Sequence, residues 1–157
     1  MKKSLLWMFF MAAVLTMGLV SCADAEEGES WDTWVMRNQL NSNWSLESVK
    51  VNGEWRTMGE AGFEFYLTLN LRAEGRTFEA ERFYYKDGRA DESTMVKKAG
   101  TYIIDEPNKT IELTDSEGNK FIRLSNIQFG SGSMSATVLF YDLNKAYDIS
   151  LARTARF

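Results

Sequence analysis

Arg82 is the residue of this chain best placed to bind a ligand, because it is the one charged residue in the middle of a predicted strand face that is otherwise apolar. It has the same parity as Phe78, Ala80 and Tyr84, so these side chains share one face if the segment is a β-strand. With that face inside a barrel, the guanidinium would bind a carboxylate or phosphate head while apolar residues hold a tail. The alternatives are that the opposite parity faces inward, or that Arg82 lies at the rim. The residues expected to line a ligand site are Arg82, Tyr84, Phe78, Tyr102, Leu67 and Leu69.

Glu79 and Glu81 are paired carboxylates on the other face of the same segment. Residues at i and i+2 fit the ~6.5–9.5 Å separation of inverting glycosidases, but two glutamates on a solvated face are far commoner. The chain contains no histidine, which removes Ser-His and Cys-His nucleophile pairs and the usual zinc ligand sets. We therefore expect a protein that is not an enzyme and has neither a cofactor nor a metal.

Asp115-Ser116-Glu117-Gly118-Asn119 has some of the composition of a calcium loop. It lacks the ligand spacing and the closing bidentate glutamate of an EF-hand. A hairpin turn with a left-handed glycine is therefore the preferred interpretation. The chain also has no basic run and a net charge of −4, so nucleic acid is not an expected partner.

The N-terminal segment has the order of a secretory signal. Two lysines precede a short uncharged apolar run, and residues 1–21 are predicted to be removed. The end of this segment, Leu19-Val20-Ser21-Cys22, resembles a bacterial lipobox, in which the cysteine thiol is lipidated. Two acyl chains hold a protein stably on a bilayer, so the resemblance implies attachment to a membrane through a lipid anchor at Cys22.

Residues 22–30 are acidic and predict a lipidated flexible tether, and residues 31–157 predict one domain. Ser30 can cap a short helix over 30–42, on which Trp31 and Trp34 lie on one face. With Trp55 they would form an aromatic platform for sugars. A tryptophan pair that plugs one end of a barrel is the preferred reading, because of its amphipathic spacing.

From Trp44 onward apolar and polar residues alternate, which predicts strands. The predicted strands are about 44–51, 54–58, 63–72, 76–86, 96–105, 109–115, 119–129, 133–141 and 145–154. Turn signals such as Asn52-Gly53 separate them, so sequential strands form antiparallel hairpins. A change of parity predicts a bulge near Ser125-Asn126.

These strands predict an all-β fold, an antiparallel up-and-down barrel of eight to nine strands with a short N-terminal helix. A sandwich is the other way to cover one apolar face per strand. The predicted inward residues are Phe65, Leu67, Leu69, Phe78, Met134, Ala136, Val138 and Phe140.

A short helix leading into Asn43-Trp44-Ser45-Leu46 resembles the start of lipocalin-like barrels. The order and spacing of four further segments is similar to small lipocalin-like domains of secreted Bacteroidetes lipoproteins, over about residues 40–155. Those segments are Leu69-Asn70-Leu71, Glu74-Gly75-Arg76-Thr77-Phe78, Gly100-Thr101-Tyr102 and Ile111-Glu112-Leu113. The resemblance implies that Arg153, or else Arg156, covers Trp44 and closes the barrel floor.

The resemblance also implies a place in the cell outer membrane. Ala23 follows the lipidated cysteine, and the acidic stretch from Asp24 to Glu29 resembles surface-export signals of such lipoproteins. Two functions remain open for the expected monomer. One is binding of a small amphipathic anion in the barrel, such as a fatty acid, held by Arg82 because no inward acid is apparent on neighbouring strands. The other is a non-catalytic protein- or glycan-interaction module with a filled barrel.

Overall fold

The computed structural model describes residues 28–154, so the predicted signal, Cys22 and Arg156 lie outside the described residues. The first helix among the described residues is α1, Trp31–Val35, which continues as a π-helical turn, Met36–Leu40. Ser30 caps the helix as predicted, because its Oγ accepts the Thr33 N–H at 3.2 Å. Within residues 28–154 no helix has both the length and the apolar character needed to cross a membrane.

Within residues 28–154, nine strands follow the helix. They are β1 Asn43–Val51, β2 Glu54–Thr57, β3 Phe65–Arg72, β4 Thr77–Lys86, β5 Arg89–Asp105, β6 Thr110–Asp115, β7 Lys120–Phe129, β8 Ser133–Phe140 and β9 Lys145–Thr154. A 3-10 turn, Glu74–Arg76, precedes β4.

The strands form a closed antiparallel barrel of eight strands with one extra strand, which confirms the predicted fold class. Neighbours in sequence pair in order from β3 to β9, and β9 returns to β1. Strand β2 lies outside the closed ring and pairs with the second half of β1. Closure of the ring pairs both edges of each of these eight strands, which removes the exposed edges that promote aggregation.

Strand β5 is longer than predicted. It was expected to begin near residue 96, and it begins at Arg89. The segment Arg89–Met95 is mostly polar and lacks alternation, so the periodicity missed it. Backbone pairing with β4 holds it instead, beyond a tight turn in which Asp87 and Gly88 have φ of 52° and 73°.

The predicted bulge in β7 is present. The register with β8 shifts between Ser125 and Gln128, and Asn126 has a φ of 51°. The shift changes the parity of the strand, so Ile127 and Phe129 pack against the same core as Leu124.

The predicted inward residues are all buried in one continuous core. Leu67 and Leu69 are 0% exposed, as are Met134, Val138 and Phe140. Tryptophan, phenylalanine and leucine side chains therefore fill the space that the eight strands enclose.

Candidate functional site

The two ends of the barrel differ in what covers them. The closed end is the end where β1 begins and β9 finishes, since Asn43 pairs with Thr154 there. Helix α1 covers it, and the Trp34 ring meets the Phe129 ring edge-on at 6.2 Å. The open end lies opposite and carries loop 58–64 and the turns at 87–88, 116–119 and 141–144. A functional site that needs access to solvent is therefore expected at the open end.

At the closed end Arg153 lies over Trp44, as the sequence resemblance implied. The guanidinium carbon is 5.2 Å from the ring centroid, and Arg153 Nη2 also donates to Gln39 Oε1 at 2.9 Å. Trp44 is fully buried. This contact joins the first and last strands to the turn after the helix, so it serves structure rather than ligand binding.

Tyr102 also belongs to the closed end. Its hydroxyl donates to the Arg72 carbonyl at 2.9 Å, and burial raises the pKa of the phenol to about 12. Phe78, Leu67 and Leu69, which were expected to line a ligand site, are packed in the core with at most 2% exposure. Large side chains on facing strands fill an eight-stranded barrel, and this leaves these residues out of reach of a ligand.

Arg82 is 1% exposed and points into the barrel, which decides between the alternatives that the sequence left open. Its Nη1 and Nη2 donate to the two carboxylate oxygens of Asp142 at 3.0 and 2.5 Å. The guanidinium also lies 4.6 Å from the Phe140 ring centroid and 5.7 Å from that of Phe121. The sequence showed no inward acid on the strands next to Arg82, and the structure supplies the matching carboxylate from Asp142 instead. Asp142 lies in the turn between β8 and β9, so a comparison of parity along neighbouring strands could not reveal it.

A cleft of about 900 Å³ lies at the open end. Three segments form its walls: loop 59–64, the end of the β4–β5 hairpin and the start of β9 with the turn before it. The lining residues are Gly59, Glu60, Ala61, Gly62, Phe63, Glu64, Tyr84, Tyr85, Asp87, Gly88, Leu143, Lys145 and Tyr147. Of the six predicted ligand-binding residues, Tyr84 is the one that lines this cleft. The glycines of loop 58–64 were the available signal, because Gly59 and Gly62 have φ of 93° and 91°.

Aromatic rings form much of the cleft wall. Phe63 and Tyr85 meet edge to face at 5.2 Å, and Tyr147 packs 4.8 Å from the buried Phe65 ring. Burial raises the pKa of Tyr84, and burial with the nearby Glu64 carboxylate raises that of Tyr147 to about 12. These phenols therefore remain protonated at neutral pH. The Tyr84 hydroxyl oxygen is buried and has no hydrogen-bond partner within residues 28–154.

The charged groups of the cleft are mainly acidic. Glu60, Glu64 and Asp87 line it together with a single lysine, Lys145. The Glu60 carboxylate accepts the Thr57 N–H at 2.6 Å, and the backbone hydrogen bond lowers its pKa. The cleft wall is therefore negatively charged at neutral pH, since Asp142 neutralises Arg82 beneath it.

The other candidate residues do not join this cleft. Glu79 is exposed on the outer face, and Glu81 there pairs with Lys97 at 2.7 Å. Trp31 and Trp34 pack against the core at the closed end, whereas Trp55 is 49% exposed on β2. The three tryptophans therefore do not form one platform, and Trp34 fits the plug interpretation.

The Asp115–Asn119 segment forms a hairpin turn. The Asp115 carboxylate accepts N–H groups of Glu117 and Asn119 at 3.0 and 2.9 Å and receives Lys98 Nζ at 2.8 Å. The Lys98 hydrogen bond, followed by the Asn119 N–H, lowers the Asp115 pKa to about 2. Within residues 28–154 no three potential metal-ligating side chains come together.

Comparisons with known proteins identified no relative of this chain. No protein-family model matches the chain, and searches of curated proteins and of solved structures found no match either. Function must therefore be inferred from the rings, carboxylates and loops of the site itself.

Proposed function

We propose that this chain is a lipid-anchored, non-catalytic binding module of lipocalin-like type, whose small ligand binds in the cleft at the open end. The observation that carries this proposal is the contrast between a filled barrel interior and an accessible cleft of about 900 Å³ above it. Ligand pockets are commonly ~300–1,000 Å³ and combine apolar walls with a few polar groups. The cleft has that size and that mixture.

The packing of the interior argues against a ligand inside the barrel. Leu67, Leu69 and Leu71 are 0% exposed, and the Arg82 side chain, which pairs with Asp142 of an open-end turn, is 2% exposed. A ligand in the interior would have to displace tightly packed side chains, at a cost of several kcal/mol.

The chemistry of the cleft supports binding rather than catalysis. The pKa values of Tyr84 and Tyr147 are raised and that of Glu60 is lowered, so these groups do not titrate near neutral pH. A general acid or base works best with a pKa near the operating pH. Histidine, the side chain that most often serves this role, does not occur in the sequence.

The proposed anchor determines how the cleft is oriented relative to the bilayer. Gly28–Ser30 precede helix α1 at the closed end, where the Trp31 N–H donates to Glu106. A tether from Cys22 to Ser30 spans at most ~30 Å. The proposed anchor in the outer membrane therefore holds the closed end near the bilayer and leaves the cleft facing away from it.

Native mass spectrometry of protein purified from its own host tests both parts of this proposal. We expect an acyl mass that Cys22→Ser removes, and a bound small molecule that Ala61→Trp displaces by filling the cleft. Ala99→Trp, on the exposed outer face of β5, is the matched control and should retain the ligand. If both tryptophan variants retained the small molecule, the cleft would not be its binding site. If Cys22→Ser kept both the acyl mass and the membrane partition, the anchor would be refuted.

A second candidate is an interaction module that uses the outer face of β2 to β4. Tyr66 and Phe83 stack there at 5.2 Å, and Trp55 on β2 is 49% exposed. Met58, at the start of the loop after β2, is 57% exposed. Exposed aromatic residues are typical of binding surfaces for proteins and glycans. Purified protein that carries no small molecule, together with loss of partner capture in Trp55→Ser, would favour this function.

A further inference from the structure

We infer that the cleft selects an organic cation with an apolar body, such as an alkylamine or a quaternary ammonium compound. This inference rests on the proposed function, since it assigns a ligand class to the same cleft. It replaces the amphipathic anion that the sequence suggested, because the cation on which that expectation depended is already neutralised.

Arg82 contributes no net positive charge to the cleft. Both guanidinium nitrogens that point to Asp142 are hydrogen-bonded, and the Arg82 side chain is 2% exposed. An anionic ligand would have to displace Asp142 from this bidentate pair and leave that carboxylate without its partner. Anion binding at Arg82 is therefore unfavourable.

The accessible charges favour a cation. Three carboxylates, Glu60, Glu64 and Asp87, line the cleft against the ammonium of Lys145. All three acidic residues are exposed, so their charges are available to a ligand. Charges of one sign in a concave wall attract ligands of the opposite sign and repel those of the same sign.

The rings and the free hydroxyl favour the same class of ligand. Phe63, Tyr84, Tyr85 and Tyr147 line the cleft, and ammonium groups bind the faces of such rings. The Tyr84 hydroxyl, buried and without a partner within residues 28–154, can accept a hydrogen bond from an amine N–H. Carboxylates and ring faces, which recognise any organic cation, thus come together in one cleft with an acceptor that a primary ammonium can use.

Probes that share one alkyl chain and differ in head group test the inference. Titration calorimetry of the full chain would compare hexylammonium and hexyltrimethylammonium with hexanoate and 1-hexanol. We expect the two cations to bind at least ~10-fold more tightly than either of the others, with affinity that falls as salt screens the carboxylates. Equal affinity for hexanol, tighter binding of hexanoate, or absence of binding by all four probes would overturn the inference.

Variants of single carboxylates connect the selectivity to this cleft. Glu64→Gln should weaken hexylammonium binding ~5-fold or more, and Asp87→Asn, in a turn that tolerates asparagine, provides a second test. Glu74→Gln is the matched control, because Glu74 is exposed next to the closed end. Unchanged affinity in both cleft variants would also overturn the inference. A neutral or anionic molecule displaced by Ala61→Trp would leave the proposed function intact and exclude the cation.

Discussion

Arg82 and Asp142, sixty residues apart in sequence, form a bidentate ion pair at 3.0 and 2.5 Å near the open end of the barrel. Arg82 comes from β4 and Asp142 from the turn between β8 and β9. The pair holds the 141–144 turn against the barrel interior. The same turn contributes Leu143 to the cleft wall. Loss of the pair should therefore affect both stability and the shape of the cleft.

Asp142→Asn should destabilise the fold by about 2–3 kcal/mol, because it leaves the buried Arg82 guanidinium without a counter-charge. Fully buried pairs cost ~3–5 kcal/mol when one partner is removed, and the 42% exposure of the Asp142 side chain reduces that figure. Urea denaturation measures the change. The double variant Arg82→Met with Asp142→Asn should be more stable than Asp142→Asn alone, and the opposite order would contradict a compensating pair.

Leu67→Ala should cost about 2–5 kcal/mol, since Leu67 is fully buried among large side chains. Equilibrium unfolding measures this difference, with Thr68→Ala on the outer face as a control expected to change little. A cost below ~1 kcal/mol for Leu67→Ala would indicate a site that adjoins an open cavity. That result would favour a ligand site inside the barrel over the cleft.

Arg153→Met should destabilise the closed end by about 0.5–2 kcal/mol, which is the usual value of a cation–π contact. The variant retains most of the apolar stem but loses the charge over the Trp44 ring and the hydrogen bond to Gln39. Thermal unfolding measures the change in stability. A melting temperature equal to that of wild type would argue against the contact as a closure of the barrel.

Stability should fall with acid as Glu112 is protonated. Burial alone would raise the pKa of Glu112, but hydrogen bonds from Lys120, Tyr141 and Arg123 outweigh it and lower the pKa to about 2. A folded-state pKa below the ordinary value of 4.5 means that this stabilisation is complete above about pH 4.5. It is then lost as pH falls towards 2.

Glu112→Gln separates this contribution from that of other carboxylates. We expect it to lower stability at pH 7 by about 1–3 kcal/mol, the usual range for hydrogen bonds to a charged group. The difference from wild type should shrink between pH 4.5 and 2, as followed by urea midpoints. Glu79→Gln, an exposed carboxylate on the outer face, serves as the control. A difference that stays constant over this range would contradict the assignment.

The alternation of apolar and polar residues was sufficient to predict the strands, their inward faces and the bulge near Ser125. These features depend on local geometry, because successive side chains of a strand point to opposite faces. The same rule placed Arg82 on one face with Phe78 and Ala80, and the structure shows that this face is buried. The first half of strand β5 was not predicted, because backbone pairing with β4 rather than side-chain burial holds it.

Only the closed barrel decided which residues meet from distant parts of the chain. Asp142 lies in a turn, where period-two alternation says nothing about direction, and ring closure alone brings it to Arg82. The cleft likewise combines loop 59–64 with residues from β4 and β9. Whether the barrel is filled depends on the joint packing of side chains from all eight strands, a three-dimensional property that no single strand encodes. The sequence therefore determined the strands and the face each presents to the core, and the tertiary structure decided that the accessible cleft lies at the open end and is lined mainly by acidic charges.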